Sequence, residues 1–257
     1  MNGVIEHGPL PTTGSTVLLL HGVFGSPALL GPWAAYLRRS GFTCHVPVLR
    51  GCDPSSDDVL LETRIDDLVS AATEAYDALT TPPILIGHSM GGLVAQRVAA
   101  RRDPKALVLL ASVPPGVLWP QVRMLPYLFP VLPSVLRGRP FLPSATTMRN
   151  VPLYNLPPEE QDEVIPQLVR DSGRVFREMS LGTRATRVPA QRVECPVLVV
   201  SGGADRNVAS WMSQRLARRY RAEHQVHPDL PHWIIAESAL PRVGPPVVRW
   251  IRDLPQM

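Results

Sequence analysis

The sequence predicts an α/β fold with a mostly parallel central sheet and helices on both faces, and three observations predict it. Short continuous apolar runs, such as Val17–Leu20 and Val197–Val200, read as strands buried on both faces. Stretches with helical apolar spacing alternate with them, as parallel βαβ units require. From Ser112 to about Pro189 that alternation breaks under a crowd of prolines, which marks an insertion between two sheet strands. The 257 residues suffice for one large domain with a substantial core.

In chain order, Val17-Leu18-Leu19-Leu20 opens the sheet and His21–Ser26 follows as a loop. Pro27 to Ser40 reads as a helix stopped by Gly41, since glycine readily ends a helix. Phe42–Pro47 is the next strand and Arg50–Pro54 a loop. Ile65 to Leu79 places Ile65, Leu68, Val69, Ala72, Tyr76 and Leu79 on one helical face. Ile84-Leu85-Ile86 is a strand, followed by Gly87-His88-Ser89-Met90-Gly91 and a helix ending near Arg102; Ala106–Ala111 is a further buried strand. Within the insertion, proline corners separate short helices, and Glu159–Met179 reads as more regularly helical apart from Pro166. The rhythm returns with the Val197–Val200 strand, the Ser201–Asp205 loop, a helix over Val208–Tyr220 and a last strand over Ala222–His227. Trp233–Leu254 reads as broken helix whose last piece begins at Pro245-Pro246. The expected organisation is a core of residues 1–111 and 190–257 carrying a helical, proline-rich cap of residues 112–189.

Composition narrows the function classes. Net charge is +4, Lys105 is the only lysine, and no basic stripe interleaves with aromatics, so nucleic-acid binding is not expected. Cys44, Cys52 and Cys195 make an odd set without metal-ligand spacing, which argues against a disulfide framework or a metal site. Met1–Gly14 lacks the basic start, apolar stretch and cleavage site of a signal peptide. No apolar run reaches membrane-spanning length. The expectation is a soluble cytoplasmic monomer or homodimer without cofactor.

The chemistry centres on Gly87-His88-Ser89-Met90-Gly91. A G-x-S-x-G run between a strand and a helix holds its serine at the tip of a strained turn, and glycines two residues either side avoid collision with neighbouring backbone. As plain structure, the same run is a glycine-rich turn that happens to hold a serine; the strand before it and the helix after it favour a nucleophile. A serine hydroxyl needs a base, and the base an orienting acid. Asp205 follows a strand and is the candidate acid, although an aspartate there also serves as a helix cap. Asp53 is a rival in the wrong chain order. His232, in Leu230-Pro231-His232-Trp233 after the last strand, is the candidate base, with His227 its competitor; His7, His45 and His224 fit irregular or strand contexts. An oxyanion needs prepositioned donors: the Met90 N–H, and the Val23 N–H with Phe24 next. His21 and His88 read as packing or hydrogen-bonding residues. In the insertion, Leu118, Trp119, Met124, Leu125, Tyr127, Leu128 and Phe129 are candidate pocket walls, as is Trp233 beyond it; each also reads as ordinary packing. The apolar Met124–Leu136 stretch, flanked by Arg123 and Arg137, reads as cap in preference to a membrane-touching surface.

Together, His21-Gly22-Val23-Phe24-Gly25-Ser26, Arg50-Gly51, Gly87–Gly92, Gly202-Gly203-Ala204-Asp205 and Pro231-His232-Trp233 resemble the α/β-hydrolase superfamily, closest to its capped esterase, lysophospholipase-like and cofactor-free haloperoxidase-like branches. The resemblance implies a helical cap inserted after the sixth strand of that fold, and serine rather than aspartate chemistry. Cys52-Asp53-Pro54 departs from the small residue, glycine and serine usual after Arg-Gly in such loops. The expected activity is hydrolysis of a carboxylic ester or thioester of a hydrophobic small molecule through an acyl-enzyme on Ser89. The alternatives are a triad-based lyase, eliminase or acyltransferase, and a non-enzymatic ligand-binding member of the fold.

Overall fold

The computed structural model describes residues 14–49 and 57–255. Six strands, β1 (Thr16–Leu20), β2 (Thr43–His45), β3 (Ile84–His88), β4 (Ala106–Leu110), β5 (Val197–Gly202) and β6 (Glu223–His227), form one sheet in the order β2-β1-β3-β4-β5-β6. Every pairing is parallel. β3, β4 and β5 are buried along their whole length, because helices cover both faces and leave no solvated side to alternate toward.

Helices α1 (Gly31–Arg39), α2 (Asp57–Glu62), α3 (Ile65–Asp77) and α4 (Met90–Ala99) precede the insertion; α5 (Leu125–Leu128), α6 (Leu132–Arg137), α7 (Ala145–Asn150), α8 (Pro158–Val164) and α9 (Gly173–Leu181) lie within it; α10 (Ser210–Tyr220) and α11 (Leu240–Arg252) follow. α3 buries Ile65, Leu68, Val69, Ala72 and Tyr76, the stripe expected from spacing, and the Glu178 carboxylate of α9 accepts the Ile65 N–H at its start.

Two expectations change. The stretch Glu159–Met179, expected to be more regularly helical apart from Pro166, is two helices: α8 runs into a 3-10 turn at Ile165–Gln167, and the chain then extends so that Phe141 and Asp171 form an antiparallel bridge before Ser172 caps α9. Pro245 and Pro246 do not begin a helix; they lie inside α11. The apolar face of that helix, with Val243, Val247, Val248 and Ile251, is buried, so packing outweighs the two missing donors. The insertion follows β4, the fourth of the described strands. The Arg50–Pro54 loop with Cys52 and Asp53, His7, and all of the Met1–Gly14 stretch but Gly14 lie outside the described residues.

The insertion helps build the interior on both sides of the sheet. Val135, Phe141, Met148 and Leu153 pack in one apolar cluster with Trp33, Leu30 and Ile251. Val175, Met179 and Val188 join the other with Leu68, Val94 and Leu107.

Candidate active site

The residues singled out in the sequence converge at the carboxyl ends of β1, β3, β5 and β6. Ser89 joins β3 to α4 with φ 54° and ψ −121°, a backbone region that side chains avoid and that persists only where the surroundings enforce it. Enforcement is visible: the Ser89 N–H donates to the Leu110 carbonyl at 3.0 Å, and the Ser89 carbonyl accepts from Gly92 and Val113, both at 3.0 Å. A Cβ on Gly87 would lie 2.4 Å from the Gly91 carbonyl oxygen, and one on Gly91 would lie 2.4 Å from those of Leu20 and His21. The turn therefore closes only with glycine at both positions.

The Ser89 hydroxyl lies 2.8 Å from His232 Nε2, and His232 Nδ1 lies 2.8 Å from Asp205 Oδ2. All three side chains are buried. Asp205 also fulfils the structural role that the sequence allowed it, because its Oδ1 accepts the N–H groups of Asn207 at 2.7 Å and Val208 at 2.9 Å. One oxygen fixes the turn and the other faces the imidazole. The acid and histidine loops meet through Gly202, where a Cβ would sit 2.2 Å from the Leu230 carbonyl oxygen.

His88 supports His232. Its Nε2–H donates to the His232 carbonyl at 3.1 Å, and its ring meets Trp233 edge-on at 5.5 Å. Burial, with the neighbouring His232 second, pushes its pKa down to about 3, so His88 is a neutral donor. His21 likewise donates from Nδ1 to the Gly22 carbonyl at 3.0 Å and is shifted down by burial. His227 and His224 stay on β6; His224 Nε2 pairs with the Ser201 hydroxyl at 2.8 Å. His45 is in β2.

Met90 opens α4, and the N–H of a first helical residue has no intrahelical acceptor. Val23 lines the same cavity as Ser89. Phe24 is corrected as a donor: its N–H is taken by Asp171 Oδ2 at 3.0 Å. Asp171 was missed in the sequence. It is buried, accepts the Ser172 N–H at 2.6 Å through its other oxygen, and burial raises its pKa to about 6 against those two stabilising bonds. The Phe24 carbonyl accepts from Val169 at 3.0 Å, and the Phe24 ring meets Phe141 edge-on at 5.2 Å. The insertion thus grips the loop that carries Val23. In sequence, Asp171-Ser172 shows only the sign of a helix cap.

Above Ser89 the space divides. A lobe of about 50 Å³ reaches Phe141, Thr147, Met148 and Trp233. A lobe of about 290 Å³ reaches Leu118, Leu132, Val135 and Met179. Met124 and Leu128 line both. So does Asn207, a residue not singled out in the sequence, whose Oδ1 has no hydrogen-bond partner among the described residues. Trp119 is corrected as a pocket residue: it lies in a separate surface groove with Trp211 and is 60% exposed. Leu125 and Phe129 are exposed and line neither lobe; Tyr127 faces the smaller.

A family profile described as the alpha/beta hydrolase family matches residues 17–243. Mouse protein phosphatase methylesterase 1 is 33% identical over 108 residues, which cover 39% of this chain and 27% of that protein. The chain therefore matches little more than a quarter of that relative's length. Among solved structures, a methylesterase from Arabidopsis superposes with a TM-score of 0.71 at 17% identity, covering 93% of this chain and 100% of that one. A monoacylglycerol lipase from Paleococcus ferrophilus gives 0.67 at 22% identity, with 94% and 95% covered. At these identities the structural likeness is one of fold.

Proposed function

The chain belongs to the alpha/beta hydrolase family, and from that premise we propose that it is a serine hydrolase that cleaves a carboxylic ester or thioester of a hydrophobic small molecule. The carrying observation is the buried Ser89–His232–Asp205 chain with both links at 2.8 Å. With Nδ1–H directed at the Asp205 carboxylate, His232 presents the lone pair of Nε2 to the Ser89 hydroxyl. It takes that proton as Oγ attacks the acyl carbon, then returns it to the leaving alcohol or thiol. The Met90 and Val23 N–H groups receive the developing oxyanion. Water, deprotonated by the same imidazole, then cleaves the acyl-enzyme.

The cavity favours an asymmetric substrate. A water needs about 10–15 Å³ of such space, so the 50 Å³ lobe admits about three to five groups of that size, a short acyl or alkyl portion. The 290 Å³ lobe takes a bulkier apolar portion. The relative's printed name, a methylesterase, fits an ester with one small side. Asn207 Oδ1 offers an acceptor to orient a donor on the substrate. Residues 112–189 act as the cap that closes this space.

A fluorophosphonate should add to Ser89 by intact mass, and short p-nitrophenyl esters should turn over, with Ser89→Ala losing both. Labelling without turnover of any ester or thioester would replace hydrolysis by elimination or acyl transfer. Full physiological function in Ser89→Ala would leave only ligand binding.

A further inference from the structure

We propose that the outer face of the 122–137 helical run docks the molecule onto an anionic lipid surface, beside the mouth of the Ser89 cavity. Val122, Leu125, Phe129, Leu132 and Leu136 recur every three or four residues along a 3-10 turn (Val122–Met124), α5, a three-residue turn and α6. They are 82%, 41%, 70%, 42% and 61% exposed. The other stripe, Met124, Leu128, Val131 and Val135, faces inward and lines the larger lobe. The run is apolar on both sides, and only the inner side has a protein partner among the described residues. Contiguous exposed apolar side chains of this kind mark an interaction surface.

Charge selects the occupant. Residues 112–158 contain Arg123, Arg137, Arg139 and Arg149 and no Asp or Glu. The chain carries 26 basic and 22 acidic side chains, so the entire net positive charge resides in this stretch and the remainder balances. Arg137 and Arg139 are exposed at the carboxyl end of the stripe, and neither is paired with a carboxylate among the described residues; Arg123, at the other end, is exposed but turns its guanidinium to Gln121 and the Asp205 carbonyl. Arginine stems lie along apolar surface while their heads reach outward. An apolar face with cations at its edges matches a layer of acyl chains beneath anionic headgroups. Leu132 and Leu136 belong both to the exposed stripe and to the wall of the larger lobe, so the proposed docking face adjoins the cavity.

This surface is independent of the chemistry at Ser89, and the test keeps them apart by using Ser89→Ala alongside the unaltered protein. Flotation with phosphatidylcholine vesicles containing about one-third phosphatidylglycerol should capture both proteins. Vesicles of phosphatidylcholine alone should capture about tenfold less or below. Val122→Ser with Phe129→Ser should abolish capture, while its hydrolysis of a soluble p-nitrophenyl ester stays at the unaltered rate. Each of Arg137→Gln and Arg139→Gln should weaken partitioning about fivefold. Absence of capture, or capture undiminished in the Val122/Phe129 variant, overturns the proposal. So does a dimer in sedimentation that this variant dissociates, which would assign the stripe to a second copy of the chain.

Discussion

At the scale of single residues, Asp171 carries the sharpest prediction. Its carboxylate is raised from the ordinary 3.8 to about 6 by burial, so the folded state holds a proton that the unfolded chain has released. Stability from this group is therefore full below the ordinary carboxylate pKa and is lost as pH rises through about 6, a change of roughly 3 kcal/mol at 1.36 kcal/mol per unit. Asp171→Asn removes the titration, and its stability relative to the unaltered protein should improve by up to that amount between pH 4 and 7 in urea titrations. Its amide offers one acceptor where Phe24 and Ser172 N–H groups both point, so the Val23 loop loosens. We expect kcat to fall about tenfold with KM little changed; an unchanged kcat would remove Asp171 from the positioning of that loop. The contrast with Ser89, His232 and Asp205 explains what sequence discloses. Each of them follows a recognisable strand in a fixed order, so local pattern suffices to single them out as candidates, and the structure places them within hydrogen-bond reach of one another. Asp171 acts on Phe24 across 147 positions of chain, and no local signal records such a contact. The Phe24 misreading has the same origin, because a free N–H and a bonded one look alike in sequence.

At the scale of elements, α11 shows packing overriding propensity. Pro245 and Pro246 take two donors from the ladder, leaving the carbonyls four residues earlier, those of Pro241 and Arg242, without their usual partners. Pro245, Pro241 and Arg242 all lie on the exposed side, where water replaces the missing bonds. The helix is held by the buried Val243, Val247, Val248 and Ile251 on the opposite side. Pro245→Ala should restore one N–H and relieve the ring's contact with the preceding turn, a gain of about 1–3 kcal/mol less the entropy that proline removes from the unfolded chain. The melting temperature should rise by a few degrees; a fall would show that the prolines favour this helix. Sequence reading assigns the prolines to a helix start because breakers are judged without the face they occupy. The same limitation hides the extended stretch between α8 and α9, where the Phe141–Asp171 bridge holds the chain straight.

At the scale of the molecule, the insertion and the sheet are held together at the loops that carry the residues of the proposed site. Asp171 and Val169 hold Phe24 on the loop after β1. Gln121 Nε2 donates to the Asp205 carbonyl at 3.0 Å, and Arg123 Nη2 donates to it at 3.2 Å. The Trp233 N–H donates to the Pro152 carbonyl at 3.0 Å, and Arg206 stacks 3.1 Å over the Tyr154 ring while bonding the Asn150 carbonyl. Insertion side chains also complete both apolar clusters. Removing residues 112–189 would open each cluster and release three loops at once, so the segment has no separable stability to lose first. Thermal unfolding should therefore be one transition, with calorimetric and van't Hoff enthalpies equal and with tryptophan fluorescence coincident with circular dichroism. The fluorescence is informative because Trp119 lies on the insertion while Trp33 and Trp250 lie on the sheet's flanking helices. An early transition seen by fluorescence alone would show the insertion melting off the sheet. It would also predict that the geometry of the proposed site is lost before the fold, since Phe24, Asp205 and Trp233 would be released together while β3 still held Ser89 in its strained turn.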